Sequence, residues 1–153
     1  MGHTIMNIPG TKIDQEQVKR ATAEIDVVGV HLGDIKLFCG SAGWSLGKEI
    51  AERLGIKPGS YDRRTFSNEN IFVRLRESVR GQDVYLIQSM SAPVHDNFME
   101  MLIMVDALKR DCAGRINVVV PYLSYGRSDK KDQPRVPITA RLIANMIEVA
   151  GAD

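Results

Sequence analysis

Short apolar runs alternate along this chain with segments of helical periodicity, and this alternation restricts the fold more than any other feature. The run VYLIQ at 84–88 is continuously apolar, which is typical of a central strand covered on both faces. The helical stretch FMEMLIMVDALKR precedes the strand RINVVVPYL, and a last helical pattern extends from Thr139 to Ala150. Strands alternating with helices favour right-handed crossovers. The sequence therefore predicts an α/β fold with a largely parallel sheet flanked by helices.

Each predicted helix carries an apolar stripe that we expect to face inward. The helix SLGKEIAERLG, which follows the strand IKLFCG, has the stripe Leu46, Ile50, Ala51 and Leu54. Asn97 is predicted to cap the next helix, with Glu100 three residues on and the stripe Phe98, Met101, Leu102, Val105 and Leu108. The last helix has the stripe Leu142, Ile143, Met146 and Ile147. NIFVRLR alternates apolar residues with arginines and predicts a half-buried strand.

Charge and cysteine usage exclude several classes of function. Twenty basic and nineteen acidic residues leave a formal charge of +1, so no global field favours nucleic acid or an anionic membrane as a partner. Cys39 and Cys112 lie far apart and show neither zinc spacing nor a disulfide framework, which favours a reducing compartment. The sequence also lacks a membrane-length apolar run and a signal-peptide centre. We predict a cytoplasmic protein.

Two segments are expected in the 153 residues. Residues 1–33 are predicted to be an amino-terminal extension with a helical stretch at about 14–25, and the regular α/β pattern occupies residues 34–153. The chain stops just after Gly151, where an α/β sheet would normally continue with another strand. We therefore expect it to be a piece of something longer.

A cluster of cations follows the strand RINVVVPYL. Ligands of parallel sheets sit beyond the carboxyl ends of the strands, which places this loop at the ligand end. Guanidinium forks and ammonium groups suit the oxygens of a polyphosphate, so the cluster indicates a nucleoside triphosphate site. Alternatively, the loop is a solvated segment in which Asp129 and Asp132 neutralise half of the cations. The four cations lie within nine residues: Arg127, Lys130, Lys131 and Arg135.

Three other polar segments have competing interpretations. In RRTFSNEN at 63–70, Phe66 could stack on a base and Asn68 could bind its edge, or Phe66 packs inward in a capped turn. FCGSAGWSLG lacks the ending of a P-loop and does not fit GxGxxG, so we interpret it as a strand-to-helix turn. His95 and Asp96 are a catalytic pair by type, but without a neighbouring nucleophile they are better explained as a helix entry.

Several motifs together resemble one known family. The segments RTFSNENIFVRLRESVRGQDVYLIQS, HDNFMEMLIMVDALKR, GRINVVVPYLSYGRSDKKD, RVPITARLIANMI and AGAD are similar, in this order, to the amino-terminal half of ribose-phosphate diphosphokinase, also called phosphoribosyl pyrophosphate synthetase. The resemblance extends from about Lys36 to Asp153, and residues 1–33 have no counterpart in it. It implies that residues 34–153 are a phosphoribosyltransferase-like domain, the first of a tandem pair.

The resemblance also implies a reaction and an assembly. The family transfers the β,γ-diphosphoryl group of Mg-ATP to the 1-hydroxyl of ribose 5-phosphate, which yields phosphoribosyl pyrophosphate and AMP for nucleotide biosynthesis. Its members commonly form hexamers with ATP between subunits. We therefore expect ATP with Mg²⁺, ribose 5-phosphate and further copies of the chain as partners.

Residue by residue, the resemblance implies an adenine loop and a triphosphate loop. Phe66 would stack on the base and Asn68 would meet its edge, while Asn70 replaces a usual glutamate and cannot give a charged accepting contact. Ser128 stands where the family usually has glutamine. Ser78 and Arg80 match positions of a regulatory phosphate or ADP site in regulated members. The cationic loop that would face the triphosphate contains Arg127, Ser128, Asp129 and Lys130.

No catalytic residue or metal ligand is expected within the 153 residues. The resemblance places the family's Asp-Leu-His metal segment a few residues beyond Asp153, and the ribose-phosphate and pyrophosphate loops in the second half. The isolated chain is therefore predicted to be inactive. An alternative is a non-catalytic regulatory or oligomerisation subunit derived from the family, and nucleic-acid binding through the basic loop is disfavoured by the neutral overall charge.

Overall fold

The computed structural model describes residues 34–153. The predicted extension at 1–33 and its helical stretch lie outside the described residues. Strands and helices follow each other in an order that matches the predicted alternation except for one additional strand, β2. The elements are β1 (Ile35–Cys39), α1 (Trp44–Leu54), β2 (Tyr61–Thr65), β3 (Ile71–Leu75), β4 (Asp83–Ile87), α2 (Val94–Arg110), β5 (Arg115–Val119) and α3 (Thr139–Ala150).

The main sheet consists of three parallel strands in the order β1-β4-β5. Strand β4 lies in the middle and is buried except for the half-buried Tyr85, as the apolar run VYLIQ predicts. Cys39 pairs with Ile87 and Ile87 with Val119, so all three strands end at the same level. We call this level the carboxyl edge. The predicted α/β fold with a parallel sheet flanked by helices is confirmed.

A separate antiparallel hairpin, β2–β3, packs beside the sheet. Strand β3 shows the predicted alternation, with partly buried apolar residues and the exposed Arg74. Strand β2 was not predicted, because the segment before Phe66 reads as a polar loop. Its inner face carries Tyr61 and Arg63, and both side chains make contacts with the buried Glu100. Polar residues that find buried partners hide the alternation by which a strand is recognised.

The core forms on both faces of the main sheet. Helix α1 covers one face through its small residues, since a Cβ at Gly47 would lie 2.2 Å from the Cys39 Sγ. The predicted stripe of this helix is therefore only partly right: Ala51 is buried, but Leu46 is 42 % exposed. Burial raises the pKa of the Cys39 thiol. The larger cluster, on the side of α2, includes Phe38, Val84, Leu86, Met101, Met104, Val105, Leu108 and Ile116.

Helix α2 begins at Val94, four residues before the predicted first residue Phe98, and Asn97 is not its cap. Asn97 is buried, and its Nδ2 donates to the Ser91 carbonyl oxygen at 2.9 Å. Glu100, expected to complete a capping box, is fully buried and makes long-range contacts instead. The capping motif at this position reflects a buried polar network. The predicted stripe is confirmed, with Phe98 buried and Leu102 partly buried against the core.

Helix α3 buries less than its pattern predicts. Ile143 is buried and Ile147 is partly buried against the core, but Leu142 is 53 % and Met146 is 38 % exposed. Val149 is 80 % exposed on the same helix. We call Leu142, Met146 and Val149 the outer face of α3. It adjoins a groove of about 330 Å³ that Leu102 and Ala150 help to line.

We expect the chain to self-associate through the outer face of α3, because contiguous exposed apolar surface promotes association. Val149→Glu places a charge in the most exposed position of this face. The weight-average mass of the parent in sedimentation equilibrium should rise with concentration, and that of the variant should rise less. Ala144→Glu adds the same charge at an exposed position outside this face and serves as the control. A parent that stays monomeric at high concentration would contradict the prediction.

None of the helices formed by residues 34–153 combines the length and the apolar character needed to cross a bilayer.

Candidate nucleotide site

The loop between β1 and α1 is a tightly packed turn at the carboxyl edge. Gly40 N donates to the Ile87 carbonyl oxygen at 2.9 Å, and a Cβ at Gly40 would lie 2.6 Å from the Gln88 side chain. Gln88 is fully buried: its Oε1 accepts from Ala42 N at 3.0 Å and its Nε2 donates to the Asn97 carbonyl oxygen at 3.1 Å. The glycines thus serve close packing, in agreement with the predicted strand-to-helix turn.

Glu100 is the polar centre of this end of the domain, although it is fully buried. Its Oε1 accepts from Ser41 N at 3.0 Å and from Ser41 Oγ at 2.8 Å. Its Oε2 accepts from Arg63 Nε at 3.1 Å. The Tyr61 hydroxyl lies 3.3 Å from Oε1, and burial together with the Glu100 charge raises the pKa of Tyr61. One carboxylate therefore joins the first loop, α2 and β2.

The hairpin extends past the carboxyl edge. Gly59 N donates to the Leu37 carbonyl oxygen, and the Tyr61 hydroxyl donates to that of Cys39, at the end of β1. Arg63 then reaches Glu100 beside the first loop, and its Nη1 donates to Thr65 Oγ1 at 3.0 Å. The turn that follows Thr65 consequently lies at the same end of the sheet as the loops that leave the carboxyl edge.

The turn at the tip of this hairpin holds the residues expected to bind adenine. Phe66 N donates to the Asn70 carbonyl oxygen and Glu69 N to that of Phe66, both at 2.9 Å. Asn68 Oδ1 accepts from Asn70 N at 3.3 Å, and Glu69 has a φ of 66°, in the left-handed region. The Phe66 ring is 54 % exposed, so the alternative in which it packs inward is wrong. Its exposed ring is available for stacking.

The basic loop is anchored where it leaves β5. Met90 N donates to the Tyr122 carbonyl oxygen at 2.9 Å, and the buried Ser124 Oγ donates to that of Met90 at 2.7 Å. Tyr125 has a φ of 65°, and its hydroxyl lies 2.8 Å from His95 Nε2 in the first turn of α2. His95 therefore belongs to a helix entry, as predicted, and also supports the loop.

The cations of this loop point into solvent. Ser128 connects the loop to α3, because its carbonyl oxygen accepts from Ala140 N at 3.1 Å. Asp129 and Asp132 do not neutralise the loop through ion pairs, since none of the pairs formed within residues 34–153 includes a residue of this loop. The exposed cations, each without a carboxylate within 4.0 Å in that part of the chain, are Arg127, Lys130, Lys131 and Arg135. Such a cluster suits an anionic ligand.

The turn at the tip of the hairpin and the basic loop lie at the same end of the domain but remain separate. No hydrogen bond within residues 34–153 joins Phe66, Asn68 or Asn70 to the loop from Arg127 to Lys130. In the same part of the chain, no group of three or more His, Cys, Asp or Glu side chains could hold a metal ion.

Of the two residues of the expected regulatory site, Ser78 lies beside Asp111, and Arg80 forms a β-bridge with Ala113. The Ser78 Oγ donates to Asp111 Oδ2 at 3.1 Å, and Val79 N donates to the same oxygen at 2.6 Å. Ser78 and Asp111 also line an open groove of about 470 Å³ together with Arg76 and Arg110. A phosphate at Ser78 would have to compete with the Asp111 carboxylate for these two donors.

A parallel α/β domain with an exposed aromatic turn and an exposed cationic loop beyond its carboxyl edge is the kind of protein that binds ligands at that edge. Residues 35–151 match the family described as the N-terminal domain of ribose phosphate pyrophosphokinase. The chain belongs to this family.

Relatives and a solved structure agree with this assignment. Ribose-phosphate pyrophosphokinase 1 of Streptococcus pneumoniae is 50 % identical over 124 residues, which cover 81 % of this chain and 38 % of the relative. The Fusobacterium nucleatum ribose-phosphate pyrophosphokinase is 43 % identical over 124 residues, with 81 % and 39 % covered. The crystal structure of phosphoribosylpyrophosphate synthetase from Mycobacterium smegmatis superposes with a TM-score of 0.77 at 45 % identity, covering 79 % of this chain and 41 % of that one. The chain thus spans about two fifths of the length of these relatives.

Proposed function

We propose that the chain is the nucleotide-binding amino-terminal part of a ribose-phosphate diphosphokinase, which transfers the diphosphoryl group of Mg-ATP to ribose 5-phosphate to give phosphoribosyl pyrophosphate and AMP. The observation that carries the proposal is the cluster of exposed cations in an anchored loop at the carboxyl edge, within a chain that matches the family over residues 35–151. Phosphoryl transfer depends on positioning and on charge neutralisation, and this loop offers both.

The proposed roles follow from side-chain chemistry. Phe66 stacks on the base, and Asn68 binds its polar edge from the same turn. Arg127 holds two phosphate oxygens with its planar fork, while Lys130 adds a point charge. Asp129 lies between them in sequence, and its negative charge limits how many phosphates the loop can hold.

Magnesium would enter with ATP and neutralise its phosphates. We assign no metal ligand to residues 34–153, where no three His, Cys, Asp or Glu side chains are grouped closely enough to hold a metal ion. The turn at Phe66 and the loop at Arg127 are not joined by hydrogen bonds within the described residues, which is compatible with a site completed by another copy of the chain. We therefore propose a homo-oligomer, a hexamer by resemblance to the family.

A second candidate is a regulatory or oligomerisation subunit that has lost catalysis. It is favoured by Asn70 and Ser128, which replace the usual glutamate and glutamine of the two loops. Loss of the carboxylate removes a charged acceptor for the base, and serine has a shorter reach than glutamine. Both changes would weaken ATP binding.

Activity measurements on two molecules separate the candidates. The isolated 153-residue chain should release no AMP from Mg-ATP in a manner dependent on ribose 5-phosphate, because the family's metal and ribose-phosphate segments match no part of it. A chimera, in which residues 35–151 replace the matching part of the Streptococcus pneumoniae relative, should turn over ATP. Turnover by the isolated chain would contradict the site assignment, and an inactive chimera that still assembles would support the second candidate.

A further inference from the structure

A second aromatic ring lies beside the ring proposed to stack on the base. The ring centroids of Phe66 and Phe72 are 6.4 Å apart, and their planes meet at 63°. The two rings are half-exposed, 54 % for Phe66 and 42 % for Phe72. Edge-to-face aromatic pairs favour this distance range and angle. The two planes form a corner at the surface of the hairpin.

The hairpin register explains why Phe72 is on the surface. Phe72 pairs with Arg64, whereas its neighbours Ile71 and Val73 lie on the opposite, partly buried face. Side chains alternate between the faces of a strand, so Phe72 cannot reach the core without displacing those neighbours. Its large apolar ring therefore contributes little to the core, and the aromatic neighbour that it has is Phe66.

Near Phe72, the hairpin carries charged side chains that are held in place by ion pairs. Arg74 donates to Asp62 Oδ2 at 2.9 Å through Nη2, and Arg76 donates to Asp62 Oδ1 at 2.6 Å. This ion cluster lies towards the start of β2, away from the turn, because Asp62 pairs with Arg74 and Arg64 with Phe72. The aromatic corner is thus at the end of the hairpin that extends past the carboxyl edge.

We infer that Phe72 is a specificity-determining residue of the base subsite, forming the second wall of an aromatic corner that accepts a purine better than a pyrimidine. The inference rests on the proposed function. A base stacked on Phe66 lies beside Phe72, and the two fused rings of a purine are wide enough to contact both walls. The single ring of a pyrimidine covers less of the corner.

Calorimetric titration of the 153-residue chain with ATP, CTP and tripolyphosphate tests this inference. Phe72→Leu should weaken ATP binding by about 3- to 10-fold and CTP binding by less, since an aromatic contact of this kind is lost. Tripolyphosphate has no base, so its affinity should stay the same. Phe72→Tyr keeps the ring and should bind ATP like the parent. The thermal midpoint of Phe72→Leu should be close to that of the parent, because the position lies outside the core.

Three results would overturn the inference. Equal ATP affinity in Phe72→Leu and the parent, while Phe66→Leu weakens it, would show that Phe66 binds the base without Phe72. An equal loss of affinity for ATP, CTP and tripolyphosphate in Phe72→Leu would indicate a general disturbance of the hairpin. If the parent binds neither ATP nor tripolyphosphate, the proposed function itself fails, and this inference falls with it.

Discussion

Arg127→Ala is expected to lower kcat/KM for ATP in the chimera described above by a factor that corresponds to roughly 2 to 4 kcal/mol of transition-state stabilisation. The guanidinium fork can hold two phosphate oxygens at once, and in a site shielded from water such charge-assisted bonds are strong. Arg127→Lys conserves the charge but loses the fork, so it should have a smaller effect in the same direction. The measurement is kcat/KM for ATP, together with the Kd for tripolyphosphate.

Arg53→Ala is the matched control for this arginine. Arg53 is also exposed, but it lies in the last turn of α1, away from the carboxyl edge. Its replacement should leave both constants unchanged. If Arg127→Ala also stays within about twofold of the parent, which is under about 0.5 kcal/mol, the basic loop is a solvated surface and does not bind the triphosphate.

Glu100→Ala should lower the free energy of unfolding by about 3 kcal/mol. The carboxylate is fully buried and accepts hydrogen bonds from Ser41 and Arg63, so its removal leaves their donors unpaired and opens a cavity. Glu100→Gln retains one acceptor oxygen and should cost less. Urea unfolding followed by circular dichroism measures the three free energies.

Glu52→Ala provides the comparison for this buried carboxylate. Glu52 lies 3.8 Å from Lys48 on the exposed surface of α1, with both side chains more than half exposed. Exposed pairs contribute less than about 1 kcal/mol, so this variant should unfold almost like the parent. Equal effects of Glu52→Ala and Glu100→Ala would mean that the buried network around Glu100 does not stabilise the fold.

The sequence predicts the main sheet well because a strand that is buried on both faces has a continuous apolar run. The run at 84–88 is typical of a central strand, and β4 has that position. Strand β2 could not be predicted, since Arg63 faces inward and its partner Glu100 is 37 residues away in the chain. The same long-range contact explains why the prediction that Glu100 takes part in a helix cap is wrong. Residue types at helical spacing do not reveal which donors a carboxylate meets.

How much of the candidate site can be predicted from the sequence also depends on how far apart in the chain the contacting residues lie. The segments around Phe66 and Arg127 could be selected from their residue types, and the structure shows both at the surface near the carboxyl edge. The contact between His95 and Tyr125 could not be foreseen, because it joins the first turn of α2 to a loop 30 residues further along the chain. Likewise, the exposure of Leu142 depends on what packs against α3, and the apolar pattern of the helix contains no information about that.

The level ends of the three parallel strands have a consequence for how this domain can diverge. Because Cys39, Ile87 and Val119 end side by side, every loop at the carboxyl edge starts from a rigid base that does not depend on the loop's own sequence. An exchange in the loop that follows β5, for example at Ser128, therefore does not require the sheet to repack. Selection can alter ligand binding at this edge while the scaffold stays foldable, so a new activity could arise in this domain by loop exchange alone.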